Sequence, residues 1–183
     1  MDFEKPENIG QYKTWFFKKH KTIISSEIEN HYDAVANKIM RDFQNHTFWK
    51  DLIKALQEIN DEYLLSTGYP LLSSSNEPKF LIKPFDSFIL KTFRKNILEN
   101  DKFPDEPKIL WITPNNWFQK IGDIVRTFFM VKYLDGVEFL IEKIERIASE
   151  NKLETKVSFE AREEGYYAAH LSIMSEFEIP KMD

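Results

Sequence analysis

Apolar side chains in the first third of the chain recur at three- and four-residue steps. Between Tyr12 and Phe43 there is neither Pro nor Gly, and Trp15, Phe16, Ile23, Ile24, Ile28, Tyr32, Val35, Ile39 and Phe43 mark the pattern. That period predicts helix, as one long element or as two broken near Ser25-Ser26. Trp15, Phe16 and Phe17 are consecutive and cannot all enter one stripe, so at least one is exposed or covered by a neighbour. A further helix is predicted from Phe48 to Leu65, with Thr47 as N-cap and Leu52, Ile53, Leu56 and Ile59 on one face. Gly68-Tyr69-Pro70 and Ser73-Ser74-Ser75-Asn76 then give a loop signal. The expected organisation is a helical N-terminal region, 1–70, followed by a second part, 71–183.

Past that loop the period changes. Lys79 to Lys83 reads as a short strand closed by Pro84, and Asp86 or Ser87 caps a helix reaching about Leu98. A Pro-rich stretch, 104–114, crosses to Trp117. Residues 124–133 (IVRTFFMVKY) are β-branched, aromatic and almost continuously apolar, the composition of a central strand. Gly136 precedes a predicted helix, Val137 to Ser149, with Val137, Leu140, Ile141, Ile144 and Ile147 as its stripe. Lys156–Ala161 and Tyr166–Ile173 read as two strands joined through Glu163-Glu164-Gly165. This order predicts an α+β fold, with helices packed on a small mixed sheet.

Composition narrows the function classes. The chain has 183 residues, enough for one domain or a domain with an appended helical part. It has no cysteine, which excludes disulfides, thiolate zinc sites and cysteine nucleophiles. Residues 1–20 carry charges throughout and read as no signal peptide. No apolar run reaches the roughly 18 residues of a membrane helix. The expectation is a soluble, cytoplasmic protein that does not enter a membrane. A net charge of −5 argues against a general nucleic-acid binder and leaves a local anion site open.

Three segments carry candidate chemistry. Lys79, Lys83, Lys91, Arg94 and Lys95 face only Asp86 in residues 79–95. Lys83 stands just before a predicted helix start and Lys91 lies on that helix, four residues after Ser87. A helix N-terminus with two lysines around it suits polyphosphate; a solvated basic helix face is the plainer alternative. Asp123, shortly after Lys120, enters the apolar strand, where a carboxylate can position Mg²⁺ or simply serve a turn. In Gly165-Tyr166-Tyr167-Ala168-Ala169-His170, residues 166, 168 and 170 share a strand face. A ring and an imidazole flanking a small Ala suit a flat base; a Tyr-rich strand with a satisfied His is the structural alternative. His20, His31 and His46 lack paired metal spacing and read as surface residues.

In this order, Lys83-x3-Ser87-x3-Lys91, Lys120-x2-Asp123 before an apolar strand, and GYYAAH at 165–170 resemble the synthetase domain of the RelA/SpoT family. The small stand-alone alarmone synthetases are the most similar type, and the resemblance runs from about Lys79 to Ile173. It implies a nucleotidyltransferase-like fold that uses ATP to pyrophosphorylate the 3′-hydroxyl of GDP or GTP, giving (p)ppGpp in the stringent response. It further implies Lys83, Ser87 and Lys91 on ATP, Asp123 as catalytic residue and Mg²⁺ ligand, and Tyr166 and His170 on the acceptor nucleotide. Lys120 and Arg126 are supporting cations. A tRNA 3′ end is the acceptor in a toxin variant of the family, and a non-catalytic nucleotide-binding module is a further alternative. Small synthetases of this type often form homo-oligomers. Leu81 and Phe128 stand where the family usually has arginines. The family's second acidic residue, on a further strand, has no counterpart before Asp183, so the synthetase core is expected to be incomplete there. Glu178 lies eight residues beyond His170, about 26 Å of extended strand at roughly 3.3 Å per residue.

Overall fold

A computed structural model describes residues 4–73, 78–161 and 167–179. Its elements are α1 (Ile9–His20), α2 (Ser26–Asn45), α3 (Thr47–Thr67), β1 (Phe80–Ile82), α4 (Phe85–Phe93), α5 (Trp117–Lys120), β2 (Val125–Thr127), α6 (Leu134–Glu150), β3 (Glu154–Ala161) and β4 (Tyr167–Met174). The fold is α+β. Instead of one mixed sheet, the described residues form two separate pairs, β1–β2 and β3–β4. The chain divides into two compact units, neither continuous in sequence. Among the described residues, one comprises 4–38 and 81–126, and the other 39–73, 78–80, 127–161 and 167–179.

The apolar pattern of the first third resolves into two helices. Asn8 caps α1 by accepting from the Gln11 N–H, and Lys21 ends it in the left-handed region at φ 58°. Trp15 and Phe16 are buried while Phe17 is 46 % exposed, as three consecutive aromatics on one helix require. The third helix starts one residue earlier than Phe48. His46 is its N-cap, its Nδ1 accepting from the Phe48 N–H, while Thr47 is the first helical residue and donates to Asn151 Oδ1 at 2.6 Å.

In the first unit, α1 and α2 supply Tyr12, Trp15, Phe16, Ile28 and Tyr32 to a core completed by Phe85, Phe88, Phe93, Trp111, Ile112, Trp117 and Ile121. Pro84 precedes α4 as its N-cap, so Asp86 and Ser87 lie within the first turn and neither is the cap. Asp86 there still faces the positive end of the helix dipole. The helix runs on into a wide turn, Arg94–Leu98, where the Glu99 N–H donates to the Arg94 carbonyl at 2.7 Å. Asn96 in this turn is fully buried. It exchanges two hydrogen bonds of 2.9 Å with the backbone of Ile112 and donates to Tyr12 Oη at 3.0 Å. The Pro-rich stretch is thereby pinned to α1 and the wide turn.

His20 corrects the surface reading. Its ring is half-buried among Trp15, Phe16 and Trp111, and among the described residues its Nε2 has no hydrogen-bond partner. Burial, with Lys19 adding and Glu106 opposing, holds its pKa below the ordinary 6.5. As pH falls below 6.5 the unfolded chain therefore takes up a proton that the folded chain resists, and stability drops. His20→Gln is expected to flatten this part of a melting-temperature profile between pH 8 and 5. His31 and His46 are also only partly exposed.

The second unit packs α3 and α6 around Phe48, Trp49, Leu52, Ile59, Tyr63, Leu71, Leu140, Ile144 and Ile147. Gly136 lies inside α6, not before it. A Cβ at that position would stand 2.8 Å from both Leu71 Cδ1 and Val131 Cγ1. Gly136→Val should therefore overpack this contact and lower the urea midpoint, at a cost of about 1–3 kcal/mol. β3 and β4 pair antiparallel with Ser158 opposite His170, and Leu171 and Ile173 pack on the core.

The expectation of a central strand over 124–133 is also corrected. Only Val125–Thr127 is a strand, with a separate bridge between Val131 and Leu72. Arg126, Phe128 and Met130 are exposed, whereas Thr127, Phe129 and Val131 are half-buried. The segment hides one face only, so its apolar composition overstates its burial.

Candidate functional site

The first unit gathers three of the sequence-predicted residues. Lys83 follows β1 and Pro84 turns the chain into α4, which carries Lys91 two turns later. Asp123 sits in the short link between α5 and β2, and the Lys83 N–H donates to the Ile124 carbonyl at 2.8 Å, which holds the link beside the start of α4. As a result Lys83 Nζ donates to Asp123 Oδ2 at 3.1 Å and Lys91 Nζ to Asp123 Oδ1 at 2.7 Å. Lys83 is the most enclosed of the three, its side chain 11 % exposed against 28 % for Lys91 and 34 % for Asp123.

Burial pushes the Asp123 carboxyl upward, but the hydrogen bonds and charges of Lys91 and Lys83 outweigh it and hold its pKa below the ordinary 3.8. Asp123 is therefore ionised at neutral pH. Two lysines on one carboxylate leave the cluster with an excess positive charge.

Tyr32 completes the arrangement and was not singled out from sequence. It is fully buried, and its hydroxyl donates to the Lys83 carbonyl at 2.7 Å. Burial raises its pKa, Asp33 and Asp123 add to the rise, and Arg126 opposes it, so the hydroxyl stays a donor. The available signal was a tyrosine in an apolar helical stripe, whose buried hydroxyl needs a partner.

Ser87, on the first turn of α4, and Lys120, at the end of α5, are both exposed, as is Arg126 on β2. Arg94 and Lys95 are paired with Glu99 at 2.9 and 3.8 Å, so part of the basic run is a solvated ion-pair surface. His170 belongs to the second unit. It is exposed on β4 and lies 3.1 Å from Glu160 on the face opposite Leu171. Tyr166 lies outside the described residues.

The implied Mg²⁺ does not fit the donors present. Magnesium asks for near-octahedral oxygen ligands, with one or two carboxylates among them. Both Asp123 oxygens already accept from ammonium groups that would repel a cation. Among the described residues no three His, Asp or Glu side chains converge. With two ammonium groups against one carboxylate, the cluster is disposed toward an anion rather than a cation.

No family model matches the chain, and neither does any curated protein or solved structure. The geometry of the cluster therefore carries the functional reading. No helix among the described residues is long and apolar enough to cross a membrane.

Proposed function

We propose that the Lys83–Lys91–Asp123 cluster is a polyphosphate site and that the chain is an ATP-dependent pyrophosphotransferase of the alarmone-synthetase type, with a nucleotidyltransferase-like fold. The observation that supports this is the convergence of three residues, 32 and 40 positions apart in sequence, onto one ion-paired centre. Phosphoryl chemistry needs little from the protein beyond positioning and charge neutralisation. Here the neutralising charge is the lysine pair, with the first turn of α4, which carries Ser87, starting two residues after Lys83.

In this reading the 3′-oxygen of GDP or GTP bonds to the β-phosphorus of ATP while the bond from that phosphorus to the α,β-bridging oxygen breaks. AMP leaves, and the hydroxyl proton passes to water. The resemblance assigns Tyr166 and His170 to the acceptor nucleotide; Tyr166 lies outside the described residues and His170 is on β4 of the second unit. A tRNA 3′ end is the alternative acceptor.

Incubation of the chain with β-labelled ATP and, separately, GDP, GTP and tRNA tests the assignment. Transfer of label to one acceptor is expected. Saturable ATP binding with no transfer to any of them would instead favour a non-catalytic nucleotide-binding module. That second reading is favoured by one observation, the engagement of both Asp123 oxygens by lysine. Absence of ATP binding would remove both readings.

A further inference from the structure

We propose that Asp123 is an internal counter-anion rather than a metal ligand, and that the Lys83–Lys91 pair takes a metal-free triphosphate by exchanging it for the Asp123 carboxylate. This rests on the polyphosphate reading of the same cluster and adds how the site is filled before its ligand arrives. Each lysine ammonium carries three donors. One donor of each is committed to Asp123, at 3.1 and 2.7 Å, which are charge-assisted hydrogen bonds of the kind a phosphate oxygen accepts.

The parts differ in how firmly they are held. Lys83 is enclosed and its carbonyl is tied to the buried Tyr32 hydroxyl. Lys91 is anchored on α4 between the buried Ile89, Thr92 and Phe93. Asp123 is the most exposed of the three, its side chain 34 % exposed, and it sits in a four-residue link outside any helix or strand. The cations are thus anchored by regular elements and buried neighbours, while the carboxylate, the most solvent-exposed of the three, is borne by a short link. A triphosphate offers the lysines several charged oxygens in place of two.

Calorimetric titration with sodium tripolyphosphate in EDTA tests the exchange. Asp123→Asn removes the competing charge and keeps the side-chain volume, so it is expected to bind about tenfold more tightly than the natural chain. Adding Lys91→Gln to that variant should abolish the gain. Equal or weaker binding by Asp123→Asn, with an unchanged circular-dichroism spectrum, would overturn the proposal. The natural chain supplies a second measurement that needs no variant. Added Mg²⁺ should leave tripolyphosphate affinity unchanged or weaker, because it neutralises the ligand; a requirement for Mg²⁺ would make Asp123 a metal ligand and overturn the exchange.

Failure of the transfer reading is distinguishable. Tighter tripolyphosphate binding by Asp123→Asn, with no label transfer to any acceptor, supports the exchange and removes the transferase. No tripolyphosphate binding by either form overturns the exchange and the polyphosphate site together.

Discussion

Lys91→Ala is expected to weaken ATP binding about 10- to 100-fold, the loss of one charge-assisted hydrogen bond at roughly 1.5–3 kcal/mol. Lys91 Nζ makes the shorter of the two contacts to Asp123 and is more open to solvent than Lys83, so it is the cation an incoming phosphate meets first. Lys83→Ala should act in the same direction and also disturb the link to β2, since the Asp123 carboxylate loses a partner. The double variant should show no saturable ATP binding. Equilibrium binding, with circular dichroism to establish folding, checks all three. Lys95→Ala is the contrasting variant. Its ammonium is paired with Glu99 across one helical turn, and its loss should leave ATP affinity unchanged.

A large stability effect is expected at a residue with no part in phosphate binding. Asn96→Leu preserves approximate volume but removes the side-chain amide that satisfies both backbone groups of Ile112 and the donor to Tyr12 Oη. Ile112 is fully buried, so its N–H and C=O cannot turn to water. Leaving a buried polar group unpaired costs about 1–3 kcal/mol, which makes a total near 3 kcal/mol or more. For a chain of this size that corresponds to a fall of about 6–12 °C in melting temperature. Thermal melts of the two forms provide the comparison. Asn96→Asp is a useful companion. It keeps the acceptor for the Ile112 N–H but places an acidic group where the Ile112 carbonyl needs a donor, so it too should destabilise.

Helices were the most legible part of the fold. The apolar period of α3 and α6 locates both within a few residues, because burial of one stripe dominates their stability. Their ends were less legible. Thr47 has the chemistry of an N-cap, yet His46 takes the role, and the Thr47 hydroxyl bonds to Asn151 104 residues away. Gly136 reads in sequence as the residue before a helix, but it lies within α6, where its missing Cβ lets the helix approach Leu71 and Val131.

The segment 124–133 shows the limit of composition. Phe128 and Met130 are apolar and more than half exposed, and nothing in a run of apolar residues says which of them alternate toward solvent. The site was legible in part. Helical spacing relates Lys83 to Lys91, but their meeting with Asp123 depends on the β1–β2 pairing, a contact across some 40 residues that no local pattern encodes. Tyr32 was hidden because its ring belongs to the core while only its hydroxyl reaches the site.

The central claim is that nucleotide phosphates bind at the junction of β1, α4 and the link before β2. Following backbone amide shifts by NMR during titration with ATP tests it most directly. The largest saturable shifts are expected at Lys83, Ser87, Lys91 and Asp123, with the same residues responding to tripolyphosphate. Saturable shifts confined to β3 and β4, with those four amides unmoved, would contradict it.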